Sequence, residues 1–333
     1  MLALVLGGGN ALGAFHGGVI QALEAEGAWP DWAAGSSIGG IMAAMIAGNP
    51  PERRLPAVRE FWRRGALEDR ATSWVPESLR KPIHLTAALQ ARLTGRPQLF
   101  HLRLFELLGG TGKPGLYGRD PMRRVLDELI DFDLLNSGAI RVSLMTVDVG
   151  SGAETPFDTT RERLTMDHLM ASSALIPDFP AVEIGGRALA DGGLAANTPA
   201  DLVLSERAAE PLACFIADPF PIAAPQPARL TDAAERQSDL IFACQTVRTL
   251  RAMRQLWEAR EGPPGTVYCV DYGYQESEVA MKSYDFARSS LDRRWACGRE
   301  QMTRALRLWR EAPPSGRGLS IRGPAAMPAE GNA

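Results

Sequence analysis

The chain has 333 residues, 45% of them hydrophobic and 23% charged, and 36 Lys and Arg against 39 Asp and Glu leave a net charge of −3. That composition is too apolar for a disordered chain and too charged for a membrane bundle. Near-neutrality also argues against a dedicated nucleic-acid binder, which needs a broad basic field.

Cys214, Cys244, Cys269 and Cys297 are far apart and form no CxxC pair, and His16, His84, His101 and His168 are equally scattered. No metal site is written locally, and the cysteines read as thiols of a reducing cytosol. Leu2 to Leu6 is too short for a signal sequence, and Ala33 to Gly48 is too short for the ~20 residues of a bilayer span. The expectation is a cytoplasmic protein, with peripheral membrane contact and oligomeric state left open.

Leu2 to Leu6 is apolar at every position, the signature of a parallel strand buried on both faces. Gly7, Gly8 and Gly9 end it. A helix follows with Leu12, Phe15, Val19, Ile20 and Leu23 on one stripe, and Gly27 stops it. Asp31 to Gly35 predicts a second strand, and Ser37 to Ala47 a second helix ended by Pro50-Pro51. Strand, glycine turn and helix, twice in succession, predict an α/β fold with a parallel sheet.

Residues 55–120 read as helical pieces broken by Pro and Gly, with Trp62, Trp74 and Phe100 among them. Asp120 is placed to cap a helix over Pro121 to Ile130. Ile140 to Val147 predicts one strand, and Glu183 to Leu189 a hairpin turning on Gly185-Gly186. Leu212 to Ile216 and Val267 to Asp271 predict further strands. A long helix between them carries Leu240, Cys244, Val247, Leu250, Met253 and Trp257 as its apolar stripe. Arg236, Arg248, Arg251 and Arg254 lie opposite, suiting either a solvated face or a lipid-facing one. A last helix carries Leu291, Trp295, Met302, Ala305 and Trp309. The stretch 313–333 has no periodicity and reads as a disordered tail.

Gly35-Ser36-Ser37-Ile38-Gly39 fits G-x-S-x-G between a predicted strand and a predicted helix. A serine hydroxyl becomes a nucleophile only when held exposed beside a base and near oxyanion donors. A sharp strand-to-helix turn does this, and it crowds the residues two before and two after the serine. Ser37 has Gly35 and Gly39 at those places, whereas Ser36 has Ala34 and Ile38, so Ser37 is the candidate.

The loop Gly7 to Gly13 bares backbone N–H groups that suit a phosphate or an oxyanion. A dinucleotide is excluded, because the second strand ends in Gly35-Ser36-Ser37 with no acidic residue to hold a ribose. No cofactor is expected.

Among bases, His16 and His168 have no partner that sequence reveals. Asp191, in Ala190-Asp191-Gly192-Gly193, follows a strand, and its glycines allow close backbone approach. A carboxylate within reach of a hydroxyl can act directly as general base.

Taken together, these residues resemble the patatin-like phospholipase family. Ala171-Ser172-Ser173-Ala174-Leu175-Ile176-Pro177 with Phe179-Pro180 is similar to its A-S-x-A-x-P-x-x-F-P run, and Asn197-Thr198-Pro199 to its N-x-P. The resemblance implies a three-layer α/β/α fold with a mainly parallel central sheet, and a Ser–Asp dyad working without histidine. It makes Ser37 the nucleophile and Asp191 the base, with the amides of Gly8, Gly9 and Asn10 as the oxyanion hole. Gly35, Gly39, Gly192 and Gly193 support the motifs. It covers 1–205. Residues 206–312 look like the C-terminal extension of a bacterial subgroup, packed on that core.

Two positions depart from the family pattern. Asn10 stands at the loop's third glycine, and Leu12 stands where many members carry a basic residue. The implied function is hydrolysis of lipid esters, of phospholipase or lipase type. The alternatives are a weak or inactive binding or regulatory module on the same fold, and a thioester or polyester hydrolase.

Overall fold

The computed structural model describes residues 1–69, 77–103, 112–207 and 209–323, with side chains of 77–80 left aside. Trp74 and residues 324–333 of the expected tail therefore lie outside the described residues. In chain order the elements are β1 (Leu2–Leu6), α1 (Ala14–Ala25), β2 (Trp32–Gly35), α2 (Ile38–Ala47), α3 (Pro51–Gly65) and α4 (Glu77–Thr94). Short strands β3 (Gly95–Arg96), β4 (Phe100–Leu102) and β5 (Tyr117–Gly118) precede α5 (Asp120–Leu129). Then come β6 (Arg141–Leu144), β7 (Thr146–Asp148), β8 (Phe157–Asp158), α6 (Met166–Ser172), β9 (Val182–Ile184) and β10 (Arg187–Asp191). The chain continues with α7 (Ala200–Leu204), β11 (Leu212–Asp218), α8 (Leu230–Glu258), β12 (Gly265–Asp271), α9 (Arg288–Glu311) and β13 (Leu319–Arg322).

Seven strands form the central sheet in the order β13-β12-β11-β1-β2-β6-β8. Every neighbouring pair is parallel except β6 with β8. β1 shows why its sequence is apolar throughout. Leu2, Leu4 and Leu6 enter one core with Phe15, Ile41 and Leu291, while Ala3 and Val5 enter a second with Val203, Leu250 and Trp257. Alternate side chains of a strand point to opposite faces, so α1, α2 and α9 cover one face of the sheet, and α7 and α8 the other. The result is an α/β/α sandwich.

The structure corrects three readings. The single strand expected over Ile140 to Val147 is two: β6 pairs with β2 in the central sheet, and β7 pairs with β10 in a separate sheet of order β7-β10-β9. Met145 is the switch residue, its N–H donating to the Gly35 carbonyl at 3.1 Å. Leu319–Arg322, expected in the tail, adds in parallel to β12 as the edge strand. Leu240, expected in the core stripe of α8, is 40% exposed. Cys244 is exposed too, and the inward face of α8 carries Asp239, Ala243 and Thr246 beside the expected Leu250 and Trp257, because buried Lys282 and Asp218 supply polar partners there.

Candidate active site

β1 and β2 are adjacent and parallel, so the loops that follow them emerge at the same edge of the sheet. Open α/β sheets bind their ligands along that edge. Asp191 reaches it through the small sheet. Gly35 registers with Leu144, and two residues on, Thr146 registers with Asp191. Residues remote in sequence are thereby stitched together by two strand pairings and the bend at Met145.

Ser37 sits at φ 56°, ψ −130°, a conformation that costs a non-glycine residue about 1–3 kcal/mol. The turn is as tight as the glycine pattern implies. A Cβ on Gly35 would lie 2.4 Å from the Gly39 carbonyl carbon, and one on Gly39 would lie 2.0 Å from the Leu6 carbonyl oxygen. Ser36 faces away, fully buried, and its hydroxyl donates to the Ala196 carbonyl at 2.6 Å. Of the two, it is Ser37 that lines the cavity.

Ser37 and Asp191 line one cavity of about 680 Å³, part of it open to solvent. Both residues face this one cavity, and Asp191 is almost wholly buried behind its surface. The Gly193 N–H donates to Asp191 Oδ1 at 2.7 Å. Burial pushes the Asp191 carboxyl up to about 6, against the Ser37 hydroxyl, the Gly193 N–H and the Arg119 charge, which all favour the ionised form. A group poised there is ionised at neutral pH and still basic enough to accept a proton.

The glycine loop follows β1 at the same sheet edge, with one correction to its reading. The Gly8 N–H is already committed to the Asn197 carbonyl at 3.0 Å, so Gly8 is not a free donor. Its own lack of a side chain is what matters, since a Cβ there would meet Asn197 Oδ1 at 2.5 Å and Ser37 Cβ at 3.0 Å. Gly9 and Asn10 line the cavity. Asn10 takes φ 52°, the left-handed region that Asn tolerates better than most residues. Gly192 backs onto Met145, and Gly193 lines the cavity. Leu12 is fully buried in the core.

None of the four histidines lines this cavity. His16 is wholly buried and pushed down to about 3 by that burial, which leaves it neutral. His168 belongs to the N-terminal cap of α6. Among the described residues, no group of three His, Cys, Asp or Glu side chains is arranged to hold a metal ion.

Sequence reasoning missed Arg119. It precedes α5, lies almost fully buried on the cavity wall, and has no carboxylate within ion-pair distance among the described residues. Its Nη1 donates to the Ser173 carbonyl and hydroxyl, both at 2.8 Å, and Nη2 to the Met170 carbonyl at 2.7 Å. Its guanidinium stands 4.8 Å over the Phe179 ring. No local signal marks it, because Arg119-Asp120-Pro121 reads only as a helix start. Much of the remaining wall is apolar, from Ile38, Ile41, Met122, Leu175, Phe179, Phe220 and Phe242, with Ser173, Asn197, Ser283 and Tyr284 among them.

The fold and this cavity define an α/β protein that presents a serine beside a carboxyl at the carboxyl edge of its parallel sheet. The sequence model of the patatin-like phospholipase family matches residues 4–204, more than half of the chain. The chain belongs to that family, which supports a lipid acyl hydrolase kind of function. It is 29% identical over 221 residues to the patatin-like phospholipase domain-containing protein ZK370.4 of Caenorhabditis elegans, covering 65% of this chain and 13% of that protein. Among solved structures it is similar to VipD from Legionella pneumophila, at TM-score 0.43 and 15% identity, over 92% of this chain and 66% of the other.

Proposed function

We propose that the chain is a serine acyl hydrolase acting on lipid carboxylic esters through a Ser37–Asp191 dyad. The observation that carries this reading is Ser37, held at positive φ on the same largely apolar cavity as the buried carboxyl of Asp191. Asp191 accepts the hydroxyl proton as Ser37 Oγ attacks the ester carbonyl. The backbone N–H groups of Gly9 and Asn10 receive the oxyanion. The tetrahedral intermediate expels the alcohol, which takes the proton back from Asp191. Water, activated by the same carboxylate, then hydrolyses the acyl-serine. The apolar wall suits an acyl chain.

Ser37→Ala should abolish hydrolysis of p-nitrophenyl esters and covalent labelling by a fluorophosphonate. Cleavage by that variant at the wild-type rate would sink the dyad, and wild-type protein that never labels would favour the binding-module alternative. An ester panel varying acyl length and head group, with thioester and polyester arms, would rank the substrates.

The reading extends to contact with a lipid surface. Exposed Leu194 and Ile241 are the sequence neighbours of cavity-lining Gly193 and Phe242, and Gln245 on the same helix accepts the Asn197 N–H at 2.8 Å. The outer stripe of α8 runs from Leu240, Ile241 and Cys244 to Arg248 and Arg251. Apolar residues at a cavity mouth followed by basic ones suit an anionic bilayer. The protein should float with phosphatidylglycerol-containing vesicles, and Ile241→Glu should lose flotation while cleaving a soluble short-chain ester normally. Equal flotation of the two proteins would dismiss this surface. No helix of the described residues is long and apolar enough to cross a membrane.

A further inference from the structure

The turn that follows α6 is where the site is tied together. The Ser37 N–H donates to the Ser172 carbonyl at 2.8 Å, and the Asp191 N–H to the Ala174 carbonyl at 3.0 Å. The backbone of both reacting residues therefore hangs on three consecutive residues, 172–174. Arg119 binds the same stretch through the carbonyl and hydroxyl of Ser173 and, in the last turns of α6, the carbonyl of Met170. A guanidinium fork suits this task, because its donors are planar and fixed relative to one another.

We propose that Arg119 is a positioning residue of the hydrolytic site: its fork clamps the turn that aligns Ser37 with Asp191, and its charge stands as the counter-charge to the Asp191 carboxylate across the cavity wall. The proposal rests on the dyad reading above. Arg119 sits at the protein–cavity boundary with no carboxylate bonded to it among the described residues, yet Asp191 and Arg119 each favour the charged form of the other.

The other charged groups nearby are engaged. Arg123, on the next turn of α5, pairs with Asp167. Asp178 accepts the Tyr284 hydroxyl and lies 3.7 Å from Arg92. Lys282, next to cavity-lining Ser283, is held by Asp239 at 2.5 Å and Glu235 at 3.3 Å. Arg119 is thus the cation placed to act on the dyad. As Asp191 takes the serine proton, its negative charge passes to the acyl oxygen. No proton moves to or from Arg119. Its fixed charge keeps the carboxylate ready without the reorganisation that water would need.

The two roles separate in the pH dependence of kcat/KM. Arg119→Met retains the apolar stem and removes the charge. Its acid limb should move up by about one pH unit or more, because Asp191 loses the charge that favours ionisation. Arg119→Lys keeps a charge and loses the fork. Its limb should stay near wild type while kcat falls about tenfold or more. A purely structural clamp predicts lower kcat in both variants with neither limb moved, which would overturn the electrostatic half.

Wild-type kcat in Arg119→Lys would overturn the clamping half. Arg119→Gln, which retains donors without charge, repeats the limb measurement if the Met variant does not fold, and near-UV circular dichroism checks each fold. Fluorophosphonate labelling of Ser37 in wild type is measured first. Its absence would defeat the dyad reading itself, whereas a labelled wild type with unmoved limbs defeats only the role of Arg119.

Discussion

Asp191, the base of the proposed dyad, is buried at a cost to the fold whenever it is ionised. Its carboxyl is raised from 3.8 to about 6 by burial. Between those values the unfolded chain ionises this group more readily than the native one, so stability falls as pH rises through the window and stays reduced above it. A shift of this size corresponds to about 3 kcal/mol. Asp191→Asn should therefore be inactive yet more resistant to urea at pH 7 by roughly 1–3 kcal/mol, with the gain shrinking towards pH 4. Urea titrations of both proteins at the two pH values check this, and an unchanged gain at pH 4 would exclude burial of charge as its cause. Activity carried by Asp191 should fall as pH drops through about 6.

At this scale the sequence separates Ser37 from Ser36, because two flanking glycines are a steric requirement that residue types display. It does not display Arg119, since burial of a lone cation depends on a turn about 50 residues downstream. Nor does it show that the Gly8 N–H is already bonded, as the acceptor is a backbone carbonyl that any residue at 197 would offer.

At the scale of elements, the strands that precede both glycine turns and the Gly185-Gly186 hairpin are legible, since apolar runs and positive-φ turns leave local marks. The split of β6 from β7 is not, because every residue from Ile140 to Val147 suits a strand and only the neighbour changes. β13 is hidden for a different reason. An edge strand of four residues, with only Leu319 and half-buried Ile321 packed on the core, lacks the length for periodicity.

Leu319 is nonetheless buried, and it crowds Gly265 and shares a core with Trp257. Ending the chain at Ser315 removes that contact and bares the edge of β12 with Val267 and Tyr268 on it. The shortened protein should lose about 2 kcal/mol or more and self-associate at lower concentration. Thermal unfolding and size-exclusion chromatography across a dilution series check this. Unchanged melting and elution would mean that β13 only decorates the sheet.

At the scale of the molecule, the C-terminal third reaches back to the glycine loop. α9 lies against α1 so closely that a Cβ on Gly298 would stand 1.9 Å from the Phe15 carbonyl oxygen. From α9, fully buried Arg294 donates to the Ala11 carbonyl at 3.2 Å and grips Glu278 with two bonds of 2.8 and 2.6 Å. Burial pushes the Glu278 carboxyl up, but the Arg294 charge and hydrogen bonds outweigh it and hold it down at about 2. Charges scattered over 278–294 look like a solvated face in a one-dimensional reading. Only the packing of α9 on α1 makes them interior.

The placement of β1 has a consequence for how the protein comes into being. β1 is made well before β11, one of its neighbours, and the Gly7 N–H finds its acceptor only at Ala217. During synthesis on a ribosome, this strand must wait, half-partnered, until β11 emerges. The glycine turn acquires its working shape late, so an interrupted translation product would carry every residue of the Ser37–Asp191 pair without the bracket that shapes the turn beside it.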